Sequence, residues 1–178
     1  MLRIGNLAAG RQAGFTLFEL IIVICVVAIM AGILLQRLQG YEEAAERVAM
    51  QQTAVAIKSA LQMRVAGYLI SGRDNEIDGL RTENPVNWLQ EKPENYAGEF
   101  QADAYAQVPP GSWYFDRPQR EMIYVVNRGD GFKPGPDGRK WVRYRVKVEY
   151  EEMPGSGVPA RKILNAATFV PVEAFVWF

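Results

Sequence analysis

The feature that most constrains this chain is an apolar run of 21 residues near its N-terminus, 15–35 (FTLFELIIVICVVAIMAGILL), in which Glu19 is the only charged residue. A helix rises about 1.5 Å per residue, so the run forms a helix of roughly 32 Å, close to the hydrocarbon thickness of a bilayer. An ionised carboxylate inside a membrane is costly unless it is paired or reaches the interface. We therefore predict a transmembrane helix whose Glu19 needs a cationic partner.

A short basic segment precedes the apolar run. Residues 1–14 (MLRIGNLAAGRQAG) carry Arg3 and Arg11 and no acid. Basic flanks tend to stay in the cytoplasm, which predicts that everything after Leu35 lies on the far side of the membrane. A cleaved secretory signal is the competing interpretation, but its apolar core covers only about 7 to 15 residues. Residues 1–14 are therefore predicted to be a cytoplasmic leader.

The junction of leader and apolar run carries a recognisable motif, GFTLFE at 14–19. With its basic leader and span-length helix, it resembles the processing site of type IV pilins and type II secretion pseudopilins. The resemblance implies that a prepilin peptidase cuts after Gly14 and methylates the new amine of Phe15. It also implies that Glu19 pairs with the N-terminal amine of a neighbouring subunit during assembly. The alternative is a simple membrane anchor whose acid reaches the interface.

The helical pattern continues beyond the apolar run and becomes amphipathic. One face is apolar at spacings of three and four residues, which predicts a helix from about Phe15 to about Leu69 that packs under a globular head. Its apolar positions are Met50, Ala54, Ile57, Leu61, Val65 and Tyr68. The charged residues assigned to the opposite side are Glu42, Glu43, Glu46, Arg47, Lys58 and Arg64.

The remainder of the chain predicts a loop followed by strands. Residues 73–110 are rich in polar residues, prolines and aromatics and predict a loop with one helical turn at 86–90. Strand patterns follow at 112–116, 121–127, 141–150 and 167–178, and Pro171 favours an edge position for the last. The clearest is 141–150, where five apolar residues from Val142 to Tyr150 alternate with charged ones.

These patterns predict an α+β fold, a long N-terminal helix whose second half packs on a three- or four-stranded antiparallel sheet. The expected organisation is a cleaved leader at 1–14, a transmembrane and filament-core helix at 15–35, and a pilin-like head at 36–178.

The composition argues against enzymatic chemistry. The chain has no histidine, and its one cysteine, Cys25, lies inside the apolar run. Histidine-based triads and histidine-based acid–base catalysis are thereby excluded, and no spacing of acids fixes two carboxylates about a substrate. We expect no enzyme activity, no cofactor and no catalytic residue.

Two segments suggest binding functions, but turns and ion pairs explain their composition more simply. The loop 128–139 (RGDGFKPGPDGR) contains two Asp-Gly turns and an Arg-Gly-Asp tripeptide. It does not match the spacing of a calcium loop, and turn chemistry accounts for its composition. The basic stripe Arg143, Arg145 and Lys147, with Trp141, resembles a nucleic-acid track. Because the net charge is zero, cross-strand pairing with acids such as Glu121 or Glu173 is preferred.

The resemblance implies a structural subunit held in the inner membrane by one span, with its head in the periplasm, that later enters a filament. Its implied partners are the prepilin peptidase, other pilin or pseudopilin subunits and the inner-membrane assembly platform. A minor pilin of a type IV pilus is the preferred assignment, and a type II secretion pseudopilin is the alternative. The two classes share the leader and the motif.

Overall fold

The computed structural model describes residues 16–153 and 161–178, so the predicted leader, Gly14 and Phe15 lie outside the described residues. One helix, α1, covers Leu17–Ile70, and two 3-10 helices cover Asp74–Arg81 and Pro85–Trp88. The strands are β1 Tyr96–Phe100, β2 Trp113–Asp116, β3 Glu121–Val125, β4 Phe132–Lys133, β5 Trp141–Met153, β6 Arg161–Pro171 and β7 Val176–Trp177. The chain divides into two compact units, one ending at Tyr41 and the other covering Glu42–Phe178, which we call the head.

Local chemistry accounts for both ends of α1. At its start the side-chain oxygen of Thr16 accepts a hydrogen bond from the backbone N–H of Glu19 at 3.2 Å, which is an N-cap. At its end Gly72 adopts a left-handed backbone with φ of 66°, which glycine tolerates without strain. The N–H of Arg73 then donates to the carbonyl of Tyr68 at 2.9 Å. The predicted long helix and its end near Leu69 are confirmed.

The head contains a five-stranded sheet in the order β1-β2-β3-β5-β6 and a small second sheet of β4 and β7. The pairs β2–β3, β3–β5 and β5–β6 are all antiparallel, so the predicted four-stranded antiparallel sheet is present. Strand β1 adds to it in parallel with β2, which the sequence did not predict. The fold is therefore α+β with a mostly antiparallel sheet.

The core lies between the apolar face of α1 and one face of the sheet. Met50, Ile57 and Leu61 are almost completely buried, and Ala54 and Tyr68 pack at their margin. The sheet contributes the buried side chains of Trp113, Phe115, Tyr124, Val142 and Tyr144 to this core. A second, smaller cluster on the opposite face of the sheet contains Ala104, Val108, Tyr114, Ile123 and Val125.

Alternation along β5 holds over most of its length. Val142, Tyr144, Val146 and Val148 are all buried, as predicted. The pairing register of β5 with β6 shifts after Glu149 by one extra residue on β6, Asn165, so the two-residue period of β5 itself continues. Tyr150 is nevertheless 37% exposed, which corrects the prediction that it is buried with the other apolar residues of its face.

The segment predicted as a loop is more structured than expected. Its first 3-10 helix buries Ile77 and Leu80 completely, at a spacing of three that matches the 3-10 period. The predicted turn at 86–90 is the second 3-10 helix, where the Asn84 side chain accepts a hydrogen bond from the N–H of Val86. At the C-terminal end, β6 is an edge strand that ends at Pro171, as expected for proline.

Truncation of Leu61 tests the helix–sheet core. We expect Leu61→Ala to lower the free energy of unfolding of the head by about 2–5 kcal/mol, because it removes buried methyl groups and leaves a cavity. The measurement is urea unfolding of the full-length chain in detergent micelles, followed by tryptophan fluorescence. All four tryptophans lie after residue 80, so the signal reports on the head.

Met63→Ala is the matched control, because Met63 lies on the same helix and is 70% exposed. Its free energy of unfolding should change by less than about 0.5 kcal/mol. Equal effects of the two substitutions would contradict the assignment of the buried face.

Candidate assembly segment and head contacts

The first unit presents an apolar helical surface on all sides. Leu17–Leu35 is the one helical segment among the described residues that is long and apolar enough to cross a membrane, and none of it is buried. Its large side chains are between 45% and 79% exposed. Cys25 is one of the exposed residues. Such a surface is compatible with lipid or with other apolar helices around it.

The described part of the predicted processing motif is the first turn of α1. Thr16 caps the helix, and Glu19 occupies the third helical position. An acid at this position favours helix initiation, because the unpaired N–H groups of the first turn carry partial positive charge. The spacing Thr-x-x-Glu is a capping-box signature that was available in the sequence. Thr16 is thus a positioning residue that motif comparison alone missed.

In the head, the carboxylate of Glu46 binds the loop that follows β3. One oxygen accepts hydrogen bonds from the N–H of Asn127 at 2.8 Å and from the hydroxyl of Tyr124 at 3.0 Å. The other oxygen accepts from the N–H of Arg128 at 2.6 Å. Burial and the charge of Glu46 raise the pKa of Tyr124 above its ordinary value, so its hydroxyl stays a donor.

A second carboxylate on the same face of α1 binds the C-terminal residues. Glu43 accepts hydrogen bonds from the N–H of Gly131 at 2.9 Å and from the indole N–H of Trp177 at 2.8 Å. Arg47 donates to the carbonyl of Trp177 at 2.7 Å. A Cβ on Gly131 would lie 3.0 Å from the carbonyl oxygen of Phe178, so glycine permits this close approach.

These contacts correct the prediction that Glu43, Glu46 and Arg47 lie on the side of the helix opposite its packed face. All three are half-buried. Acids three residues apart share a helix face, but their partners are backbone N–H groups more than 80 residues away. No local pattern in the sequence identifies such partners. We call Glu43, Glu46 and Arg47 the helix clamp.

The basic stripe on β5 is paired with acids. Arg143 forms ion pairs with Glu121 and Glu173, Arg145 pairs with Glu121, and Lys147 pairs with Glu149. Pairing with Glu121 and Glu173 is therefore confirmed. The guanidinium of Arg143 also lies 5.2 Å from the ring centre of Trp141. These ion pairs leave less unpaired positive charge on the stripe for phosphates.

The loop 128–139 contains turns and strand β4. The side chain of Asp137 accepts a hydrogen bond from the N–H of Arg139 at 3.1 Å, as expected for an Asp-Gly turn, and Asp130 is exposed. Within residues 16–153 and 161–178, no group of three or more histidine, cysteine, aspartate or glutamate side chains is placed to hold a metal ion.

Comparisons with known proteins agree with the N-terminal segment and extend into the head. The model for the prokaryotic N-terminal methylation motif matches residues 10–35. Type II secretion system core protein G of Klebsiella pneumoniae is 38% identical over 136 residues, covering 72% of this chain and 87% of that protein. The protein of the same name from Pectobacterium carotovorum subsp. carotovorum is 30% identical over 132 residues, covering 72% and 78%. No solved structure matches the chain significantly.

The chain therefore belongs to the family of type IV pilins and type II secretion pseudopilins. The predicted family and fold class are confirmed. A third relative, from Dickeya chrysanthemi, is 28% identical over 139 residues and is also named type II secretion system core protein G. The relatives thus favour the secretion alternative over the type IV pilus that was preferred from the sequence.

The helix clamp predicts a specific loss of stability. We expect Glu46→Gln to lower the free energy of unfolding of the head by about 2 kcal/mol, because glutamine is uncharged and has only one acceptor oxygen, so one of the two backbone N–H groups loses its acceptor. The measurement is urea unfolding of the full-length chain in micelles. Glu42→Gln is the control, since Glu42 forms an exposed ion pair with Arg128 and its loss should cost less than about 1 kcal/mol. Equal losses would show that the clamp is dispensable.

Proposed function

We propose that this protein is a pseudopilin, a structural subunit of a type II secretion filament that assembles through its N-terminal helix. The observation that carries the proposal is the exposed apolar segment Leu17–Leu35 with its single acid, Glu19, next to a matched methylation motif. The names of the relatives support the secretion system as its setting. The names of these sequence relatives and the absence of histidine from the sequence support a non-enzymatic role.

Maturation begins with the leader at 1–14. In the proposal a prepilin peptidase hydrolyses the peptide bond between Gly14 and Phe15, which leaves a carboxylate on Gly14 and an amine on Phe15. Methylation of that amine keeps its positive charge. Cleavage thereby creates, at the membrane, the cation that Glu19 lacks.

Assembly uses the pairing of these two charges between neighbouring subunits. Before assembly, the helix at 15–35 lies in the inner membrane and residues 36–178 lie in the periplasm. The assembly platform then moves this helix from lipid into contact with other subunits, where Glu19 forms an ion pair with the Phe15 amine of a neighbour. An ion pair in a medium of low dielectric constant is favoured over two isolated charges, so the pairing selects processed subunits.

Replacement of Gly14 tests processing and setting together. We expect Gly14→Ala to accumulate as the uncleaved precursor in the membrane and to abolish secretion of the exoproteins of the system. Gel mobility against the mature protein and the amount of secreted protein are the two measurements. Gly10→Ala is the matched leader control and should be processed normally.

Two results would contradict the proposal. If the Gly14→Ala protein migrated in the gel like the mature protein, cleavage after Gly14 would be contradicted. Normal secretion with loss of surface pili would instead place the subunit in a type IV pilus.

Replacement of Glu19 tests charge pairing. Glu19→Ala should still be cleaved, because the peptidase site is intact, but should enter filaments poorly, because the neighbour's amine has no partner. The measurement is the ratio of filament-associated to membrane-held mature subunit.

The double variant Glu19→Leu/Leu20→Glu is a control of identical composition that rotates the acid by about 100° around the helix. It should fail to assemble as well. Normal incorporation of Glu19→Ala would show that the acid is dispensable, and normal incorporation of the double variant alone would show that its position is irrelevant.

A further inference from the structure

A basic groove flanks the turn between β2 and β3. Its cations come from three elements: Arg81 from the first 3-10 helix, Arg120 from the turn, and Arg145 and Lys147 from β5. The groove has a volume of about 640 Å³ and opens to solvent.

Three of the four cations are neutralised within the head. Arg81 pairs with Asp78 at 3.0 Å, Arg145 pairs with Glu121 and Lys147 pairs with Glu149. Arg120 forms no ion pair with any residue that the structure describes, and it is exposed. The groove therefore carries a surplus of about one positive charge, which suits a carboxylate better than a polyanion such as DNA.

The backbone of Arg120 indicates that the turn itself does not call for an arginine. Its φ is 57°, in the left-handed region that glycine and asparagine adopt most readily. Either residue would close the turn with less strain. Strained backbone of this kind is a reason to look for a function of the side chain.

The same strand that lines the groove ends in acids. Strand β5 carries Arg143, Arg145 and Lys147 in its first half and Glu149, Glu151 and Glu152 in its second half. Glu151 and Glu152 are exposed and form no ion pair with the described residues, although Lys162 lies opposite Glu152 in the register. We call Glu151 and Glu152 the acidic end of β5.

The two charged ends cannot meet within one head. Arg145 and Glu151 are six residues apart on one strand, a separation of about 20 Å. Without Arg3 and Arg11 of the leader, the processed chain carries 18 basic and 20 acidic side chains, a side-chain net charge of −2, so the overall repulsion between two copies is small. A second copy is therefore a suitable source of the missing carboxylate.

We propose that the basic groove binds the acidic end of β5 of a second copy, with Arg120 as the principal cation. Arginine presents a planar fork that matches a carboxylate. Because the groove and the acidic end are different surfaces, the contact is heterologous and propagates from copy to copy without closing. This inference rests on the proposed function, in which copies are neighbours in a filament.

Photo-crosslinking in the producing bacterium tests the contact on the full-length chain. Benzoylphenylalanine replaces Gln119, which lies beside Arg120 in the groove, and the adduct is mapped by mass spectrometry. We expect an adduct with residues 149–152 of another copy. An adduct with a different protein or a different part of the chain, or no adduct, overturns the proposal.

A second crosslinker position separates this inference from the proposed function. Benzoylphenylalanine at Val26, in the apolar segment, should give copy-to-copy adducts whenever the subunits assemble through their helices. If Val26 crosslinks and Gln119 does not, only the groove contact is overturned. If neither position crosslinks copies, assembly and groove contact are both overturned.

Substitutions at Arg120 distinguish charge from folding. Arg120→Gly relieves the left-handed backbone and should leave thermal stability equal or higher, yet it should reduce the Gln119 adduct about tenfold by removing the cation. Arg120→Lys, which keeps the charge, should retain most of the adduct. An undiminished adduct in Arg120→Gly overturns the role of this residue.

Charge reversal identifies the occupant. Glu151→Lys/Glu152→Lys should abolish the adduct, and combination with Arg120→Glu should restore it. Glu91→Lys/Glu94→Lys makes the same change in charge in an exposed loop and should have no effect. Loss of the adduct in this control alone would assign the groove to a different segment and overturn the proposal.

Discussion

The structure depends on one helix that meets two different surroundings. Over Leu17–Leu35 α1 is apolar on every side, and from Met50 onward it is apolar on one face only. The first pattern suits a membrane or a bundle of helices, whereas the second requires a sheet to cover it. Complete burial of a side chain such as Ile57 or Leu61 contributes about 2 kcal/mol, so the covered face holds the sheet on the second half of α1.

Polar contacts of the helix clamp supplement this apolar interface. Glu43 and Glu46 accept hydrogen bonds from backbone N–H groups of the segment after β3, and the C-terminal Trp177 joins them. Loops carry backbone groups that need partners, and a carboxylate satisfies two at once. The clamp thus orders residues 127–131 and the C-terminus without a disulfide, which a chain with one cysteine cannot form internally.

The sequence identified the family more readily than it identified the kind of filament, a type IV pilus or a type II secretion filament. The motif at 14–19 is local and chemically specific, so it identified the class, and the comparisons agree. The choice between pilus and secretion filament depends on the head, whose sequence patterns are those of any antiparallel sheet. Relatives matched over 72% of the chain favour secretion because they compare the head as well as the helix.

By itself the sequence determined the elements whose signals are local. A period of 3.6 residues predicts the extent of α1 and its apolar face from Met50 to Val65. A period of two residues predicts the alternation along β5 as far as Val148. Tertiary structure decided the contacts between distant segments. Examples are β1 in parallel beside β2, the bulge in β6 at Asn165, and the partners of Glu43 and Glu46. These depend on which segments the folded chain brings together, and no short stretch of sequence carries that information.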